Sequence, residues 1–315
     1  MLLLRSGPAY GLAVLLAGIV VVNVGQFVVR APFQAVMADL VPSRHRSFAT
    51  GAMTALMCAG AIAFLGLAQA SGSPRLAFAA AAVTLVGVAL AFGRWLREPA
   101  GDVSPGTETS LALVRNALRH VAHGAVPGLR AAFVALLFIH LSFQTFASWF
   151  TLHAAERFGT APADAAAGFI AWAVGGLIGS LPAGLLGVRV GRRATLLLGL
   201  AGMTLVLLAL DRAPTLAAAI PLILAASACW SLPTVNAFPL LVEPFPRARR
   251  GVLAALFFLC MALGGIIGDP LNGLLFELAG HRRALFLLMA GYTAIAFLAV
   301  LRIPRGAGEA GTGAA

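Results

Sequence analysis

The sequence predicts an all-α polytopic membrane protein of about nine membrane-spanning helices arranged as two bundles. Three observations predict it. First, 60% of the 315 residues are hydrophobic and only 10% are charged, against roughly 25% charged in an ordinary soluble domain. So little polar surface does not keep a chain of this size in water. Second, apolar runs of the ~20 residues that cross a bilayer recur at 9–40, 48–70, 76–96, 129–153, 163–187, 194–211, 214–242, 250–276 and 283–303. Third, the chain repeats itself. Asp39-Leu-Val-Pro42-Ser-Arg-His-Arg46 closes the first run and Glu243-Pro-Phe-Pro246-Arg-Ala-Arg-Arg250 closes the seventh, at an offset of 246 − 42 = 204. Arg75-Leu-Ala-Phe78 with Arg94 and Arg97 matches Arg283-Ala-Leu-Phe286 with Arg302 and Arg305 at an offset of 208. Two such halves in one orientation are the pattern of a transporter that rocks about a central cleft.

The net charge of +11 would point to nucleic acid in a soluble protein. Here every one of the 22 basic residues is arginine, and most lie in short loops between apolar runs, a pattern that sets membrane topology. Fifteen of them, including Arg44, Arg46, Arg189, Arg192, Arg193 and Arg250, fall on one side of the membrane and six on the other. The first side is therefore expected in the cytoplasm, with the N-terminus outside and the C-terminus inside. Cys58, Cys229 and Cys260 lie inside apolar runs, without metal spacing, and read as packing residues. No cofactor motif, metal cluster, nucleotide-binding loop or nucleophile–base pair is visible, which disfavours an enzyme and an ATP-driven pump.

The first span is longer than a bilayer needs and is expected to tilt. It is not expected to be a cleaved leader, because it runs for about 30 residues without a convincing small-residue cleavage site and leads straight into one copy of the repeat. Along it Asn23, Gln26, Arg30 and Gln34 are spaced by 3, 4 and 4, which puts them within about 80° at 100° per residue. A charge at mid-bilayer costs at least ~2.5 kcal/mol, so Arg30 is expected to face a water-filled cleft or a partner. Pairing that merely holds the bundle together is the competing reading.

Asp39 and Glu243 end their spans just before the arginine clusters. They are expected to close charge pairs with Arg46 and Arg250 or with neighbouring loops, favouring one access state. Residues 97–128 form the one long polar connection, in which Leu111, Val114, Leu118 and Val121 share a helical face, the pattern of an amphipathic helix at the membrane surface. On the fourth span His140 and Gln144 share a face near mid-membrane. His140 is a candidate proton-coupling group, since an unperturbed imidazole titrates near pH 6.5; a neutral packing histidine is the alternative.

Gly175, Gly176, Gly179 and Gly184 on the fifth span allow close helix approach. Trp230, Thr234 and Asn236 on the seventh are the repeat equivalents of positions 26, 30 and 32, and would line the opposite wall of a shared cleft. Indole rings suit sugar faces, although a membrane tryptophan is more often interfacial packing; Trp149 and Trp172 are weaker candidates of the same kind. Asp269 and Asn272 lie late in the eighth span beside Pro270, where they gate or terminate a helix. Residues 304–315, rich in Gly and Ala, are expected to be a disordered tail.

Gly184-Leu-Leu-Gly-Val188-Arg189-Val-Gly191-Arg192-Arg193 resembles the cytoplasmic signature Gly-x-x-x-Asp-Arg-x-Gly-x-Arg of the major facilitator superfamily, with Val188 where the family usually has an acid. In that register residues 1–96 resemble helices 4–6 of a partial N-terminal bundle, 97–128 the cytoplasmic linker, and 129–303 the six-helix C-terminal bundle. The resemblance adds Arg189 and Arg193 to the gating set of Asp39, Arg46, Glu243 and Arg250. It also implies three further helices before the first span, so the chain is expected to be a fragment or a mis-started reading frame.

Ala31-Pro32-Phe33-Gln34-Ala35-Val36-Met37-Ala38-Asp39-Leu40 is similar to the fourth-helix motif of sucrose-type sugar:proton symporters, a branch that often carries arginine at the position of Gln34. The resemblance implies secondary active transport of a small polar solute, with sugar as a candidate and H+ as the driving ion, in a bacterial inner membrane. The bilayer, the solute and H+ are the implied partners, with no nucleic acid. A truncated remnant that transports nothing is the alternative, and a polytopic membrane enzyme a third reading.

Overall fold

The computed structural model describes residues 33–95, 127–245, 247–280 and 282–304, with 14, 17, 18, 21, 25, 30, 115 and 119 as isolated positions. Regular structure among the described residues is helical throughout. α1 (33–40), α2 (Ser43–Ser71) and α3 (Pro74–Trp95) precede the linker; α4 (Leu129–Phe158), α5 (Pro162–Arg189), α6 (Arg192–Leu210), α7 (Leu216–Val242), α8 (Arg247–Ala279) and α9 (Leu285–Leu301) follow it. Described residues upstream of α1 are helical as well, within the expected first span. Each expected span has its helix, in the two-bundle arrangement of an all-α polytopic membrane protein. Asn23, Gln26, nearly all of the expected amphipathic helix and the tail beyond 304 lie outside the described residues.

Several helices extend past their apolar runs because polar ends are hidden by neighbours. α2 begins at Ser43, five residues before its predicted start at 48, and the buried Arg46 and Ser47 occupy that first turn. α4 continues to Phe158, where Gly159 at φ 64° ends it by donating its N–H to Ala155. At the other end Gly128 stands at φ 83°, and a Cβ there would lie 2.7 Å from Pro304 Cδ. Only glycine fits both constraints. In α7, Thr215 caps the N-terminus by accepting from Ala218 N–H at 3.2 Å. Pro221, Pro233 and Pro239 lie within the helix, each removing an intrahelical donor.

α4 packs against α8 and α9, α9 against α6, α6 against α7, and α7 against α5. Phe146, Phe150, Leu200, Met203, Leu207, Phe286 and Met289 are fully buried where these helices meet. α2 joins this group through α5, while α3 packs on α2, meets α1 through the Phe92–Phe33 ring contact at 5.6 Å, and presents Val83, Leu85 and Leu90 outward. Such faces are what acyl chains cover, because every helix satisfies its own backbone in hydrocarbon.

The α2–α5 seam is made of small residues. A Cβ on Gly51 would lie 2.5 Å from the Ser180 carbonyl oxygen, one on Gly184 2.8 Å from the Ser47 carbonyl oxygen, and one on Gly176 2.8 Å from Cys58 Sγ. Gly175 and Gly179 serve the other face of α5: Cβ atoms there would lie 2.2 Å from Leu224 O and 2.7 Å from Ala228 O of α7. One helix therefore carries two tracks of close approach, and the one toward α2 is polar at its rim and glycine at its centre.

Candidate functional site

At the end of the helices that bears the arginine clusters, the two copies of the repeat are tied together by crossed charge pairs. Arg46 Nη1 donates to Glu243 at 3.0 Å, and Arg250 Nη1 donates to Asp39 at 3.1 Å. The offsets 243 − 39 and 250 − 46 are both 204, so each acid pairs with the arginine of the opposite copy. Local chain geometry sets this up. Asp39 and Glu243 both stand where a helix ends before a proline, and the exposed carbonyls there attract cations. The Ala38 carbonyl accepts from Arg46 Nε at 3.0 Å and from Arg250 Nη1 at 3.1 Å.

Arg192 completes the cluster. Its Nη1 donates to Glu243 at 2.9 Å, Nη2 to the Ser43 carbonyl at 2.7 Å and Nε to Ser47 Oγ at 3.2 Å. The Ser43 hydroxyl donates to the second Glu243 oxygen. Burial by itself raises the Glu243 pKa, but the Ser43 hydroxyl, Arg192 and Arg46 outweigh it and hold the carboxyl below its ordinary value. The Arg46, Arg192 and Glu243 side chains are 6%, 9% and 7% exposed, whereas Asp39 is 46% exposed. Val188 replaces an acid in the loop signature, and Glu243 from α7 supplies the carboxylate that Arg192 engages.

The two arginines of the signature assigned to gating are placed elsewhere. Arg189 is exposed. Arg193 donates to the Ile303 carbonyl at 2.7 Å and to Leu301 at 3.0 Å, gripping the end of α9. Arg192, Ser43 and Ser47 are the contacts that reading the sequence missed. The doubled arginine at 192 and 193 carries no local cue to which of the two turns inward.

The other candidate polar and aromatic side chains lie further along the helices. Gln34 is buried on α1 and Arg30 half-buried one turn earlier, within Coulombic range of the His140 ring on α4. His140 is buried edge-on to Phe257, at 6.0 Å between centroids, with Gly264 against its Cβ. Its Nδ1 lies 2.8 Å from the Leu136 carbonyl; a carbonyl only accepts, so Nδ1 carries the proton and Nε2 keeps the lone pair. Gln144, one turn on, donates to Ser148 Oγ at 3.0 Å.

Trp230 stacks on Phe143 at 5.0 Å and 26° and meets Trp172 at 5.8 Å, leaving its buried indole N–H without a partner. Thr234 bonds back to the Trp230 carbonyl at 2.9 Å. Asn236 is fully buried and donates to the Ala183 carbonyl at 2.9 Å, against Gly187, so it sits inside the α5–α7 contact. Asn272 makes a polar connection that no local pattern announces. Its Nδ2 donates to Thr145 Oγ1 and its Oδ1 accepts from Tyr292 OH, both at 2.9 Å, joining α4, α8 and α9. No group of three or more metal-ligating side chains occurs among the described residues.

Solved structures similar to this chain include two of FucP. One is FucP, a Major Facilitator Superfamily transporter in its outward conformation, with a TM-score of 0.57 and 18% identity over 73% of this chain and 55% of that one. The other is a variant of the E. coli fucose:proton symporter FucP, with a TM-score of 0.55 and 19% identity over 72% of this chain and 54% of that one. The likeness is one of fold, and the chain spans about half the length of these relatives. No curated protein matches it. Comparison with protein families matches residues 132–314, more than half of the chain, to the Major Facilitator Superfamily. With its helices, repeat and family match in agreement, the chain belongs to the Major Facilitator Superfamily.

Proposed function

We propose that this chain works in secondary active transport of a small polar solute, a sugar, driven by protons through alternating access. The crossed pairing of Asp39 with Arg250 and Glu243 with Arg46 is the observation that supports it most. Charge pairs that join two repeats at one end, above a glycine seam, form a gate that opens when the repeats rock apart. Asp39, Arg46, Arg192, Glu243 and Arg250 are the gate in this reading, at the cytoplasmic face of a bacterial inner membrane. Arg30, Gln34, Gln144, Trp230 and Thr234 contact solute, with Asn23 and Gln26 continuing the stripe. His140 receives the proton on Nε2. Asn236 and Arg193 hold helices in place. The working division is 1–96 for the N-terminal portion, 97–128 for the cytoplasmic linker, 129–303 for the C-terminal bundle and 304–315 for a tail.

Fucose enters as the first solute to try because a structurally similar protein is described as a fucose:proton symporter. Proteoliposomes containing the full chain are loaded at alkaline pH and diluted into acid medium with labelled L-fucose, D-galactose or sucrose. Accumulation that collapses on adding a protonophore is the expected result. Flux equal to that of empty liposomes for all three would overturn the sugar reading for this chain.

A further inference from the structure

Asp269 lies within α8, an apolar helix, and its Oδ1 is buried without a hydrogen-bond partner. None of the ion pairs among the described residues includes it. A buried acceptor left unmade is costly, and more so when charged, so it calls for a partner that the described residues do not provide. The structural network nearby does not need it. Asn272, three residues on, already satisfies both ends of its amide through Thr145 and Tyr292.

The side of α8 that bears Asp269 faces α4. A Cβ on Gly265 would lie 3.7 Å from the Gln144 amide, and one on Gly273 3.5 Å from the Trp149 ring. Asp269 is midway between these glycines, four residues from each, hence on the same helical face. That register sets it at the level of Gln144, Ser148 and Trp149. The Trp149 ring is fixed by Phe276 at 5.3 Å and by the Arg282 guanidinium at 5.9 Å, yet its indole N–H is also buried without a partner. Ser148 Oγ accepts from Gln144, which leaves the serine hydroxyl hydrogen to donate elsewhere.

We propose that Asp269, the Trp149 N–H and the Gln144–Ser148 pair form a subsite for vicinal hydroxyl groups of a carbohydrate, toward the helix ends remote from the arginine clusters. A hydroxyl both donates and accepts: it gives its hydrogen to Asp269 and takes one from the indole or from Ser148. An ammonium group only donates and a carboxylate only accepts, so neither fits the whole set. The assignment rests on the carbohydrate reading above and adds an acidic residue to it.

The test is the thermal midpoint of the detergent-solubilised full chain titrated with L-fucose, D-galactose and, as an ammonium cation that carries no hydroxyl, methylammonium. A ligand bound only by the folded state raises the midpoint with concentration. The sugars are expected to stabilise wild type, and Asp269→Asn and Trp149→Phe each to weaken that binding about tenfold to hundredfold. Asp269→Asn keeps the shape; Trp149→Phe keeps a ring and removes the N–H, so either variant suffices if the other fails to fold. Equal sugar binding by wild type and both variants overturns the subsite while leaving the carbohydrate reading intact. No sugar binding by wild type overturns both, and methylammonium binding lost in Asp269→Asn overturns the hydroxyl assignment.

Discussion

Glu243 accepts a hydrogen bond from Arg46 at 3.0 Å, and their repeat counterparts Asp39 and Arg250 make the same contact in the opposite sense at 3.1 Å. The symmetry of the repeat is thus written into its charges, but the two contacts are unequal in strength. Glu243 also accepts from Arg192 and Ser43 and is 7% exposed, whereas the Asp39 side chain is 46% exposed. Low exposure strengthens Coulombic attraction and makes loss of one partner expensive, because the charge left behind has no water to turn to.

Glu243→Gln is therefore expected to destabilise the protein by ~3–5 kcal/mol, the range for removing one partner of a buried pair. The loss is pH-dependent with a definite sign. The folded-state pKa of Glu243 lies below its ordinary value, so its contribution is fully present above that ordinary value and is lost as pH falls through the depressed one. The gap in thermal midpoint between wild type and Glu243→Gln should be widest near neutral pH and close in acid. A gap that stays constant with pH would remove the carboxylate from the argument.

Asp39→Asn breaks the exposed member of the set and is expected to cost only ~0–1 kcal/mol. The pair of variants, measured in the same detergent, tests the asymmetry directly. Equal losses would mean that the two halves share the load.

Helix number and order were legible in the sequence because ~20-residue apolar runs and an arginine bias need no tertiary information. So were Asp39, Arg46, Glu243 and Arg250, since their repeat marks them as equivalent. The crossing of the pairs was not, because a repeat gives equivalence and not partners. Arg192 was hidden beside Arg193: one turns inward to Glu243 and the other grips the Leu301 and Ile303 carbonyls. Asn236 was grouped with Trp230 and Thr234 because the repeat makes the three equivalent to positions 26, 30 and 32, yet it stands two residues beyond Thr234, about 200° around the helix, and bonds to Ala183 of α5. The Asn272–Thr145–Tyr292 network joins three helices, and no local pattern announces a contact of that kind.

Gly51→Leu tests the α2–α5 seam. A Cβ would meet the Ser180 carbonyl at 2.5 Å, and that oxygen belongs to backbone, which yields only if the helices separate. A loss of about 1–3 kcal/mol is expected from overpacking, together with weakened closure at the arginine end. Gly66→Leu on the same helix is the control, because nothing lies within 4 Å of its Cβ position; it should change stability by less than about 0.5 kcal/mol. Similar losses in both variants would indicate that α2 tolerates added bulk poorly anywhere along its length, and not a seam at Gly51.

Arg30→Ala is expected to lower solute uptake at least about tenfold, the effect of losing ~1.4 kcal/mol of solute interaction, while leaving membrane insertion intact. Arg30 stands within Coulombic range of His140, so in the proposed reading it bears on solute and proton site together. Undiminished uptake in proteoliposomes carrying equal amounts of protein would take Arg30 out of the site.

His140→Gln separates proton coupling from packing. With Nδ1–H held by the Leu136 carbonyl at 2.8 Å, Nε2 is the nitrogen left to take up a proton. Glutamine keeps a donor and an acceptor at similar reach but does not titrate near neutrality. If His140 carries the coupled proton, the variant should still exchange labelled for unlabelled solute across the membrane, since exchange needs no net proton movement. It should fail to accumulate solute against a gradient, and its uptake should no longer respond to external pH. Loss of exchange and accumulation together would mark His140 as a packing residue between Phe257 and Gly264. Retention of both, with an unaltered pH profile, would place proton coupling on another group.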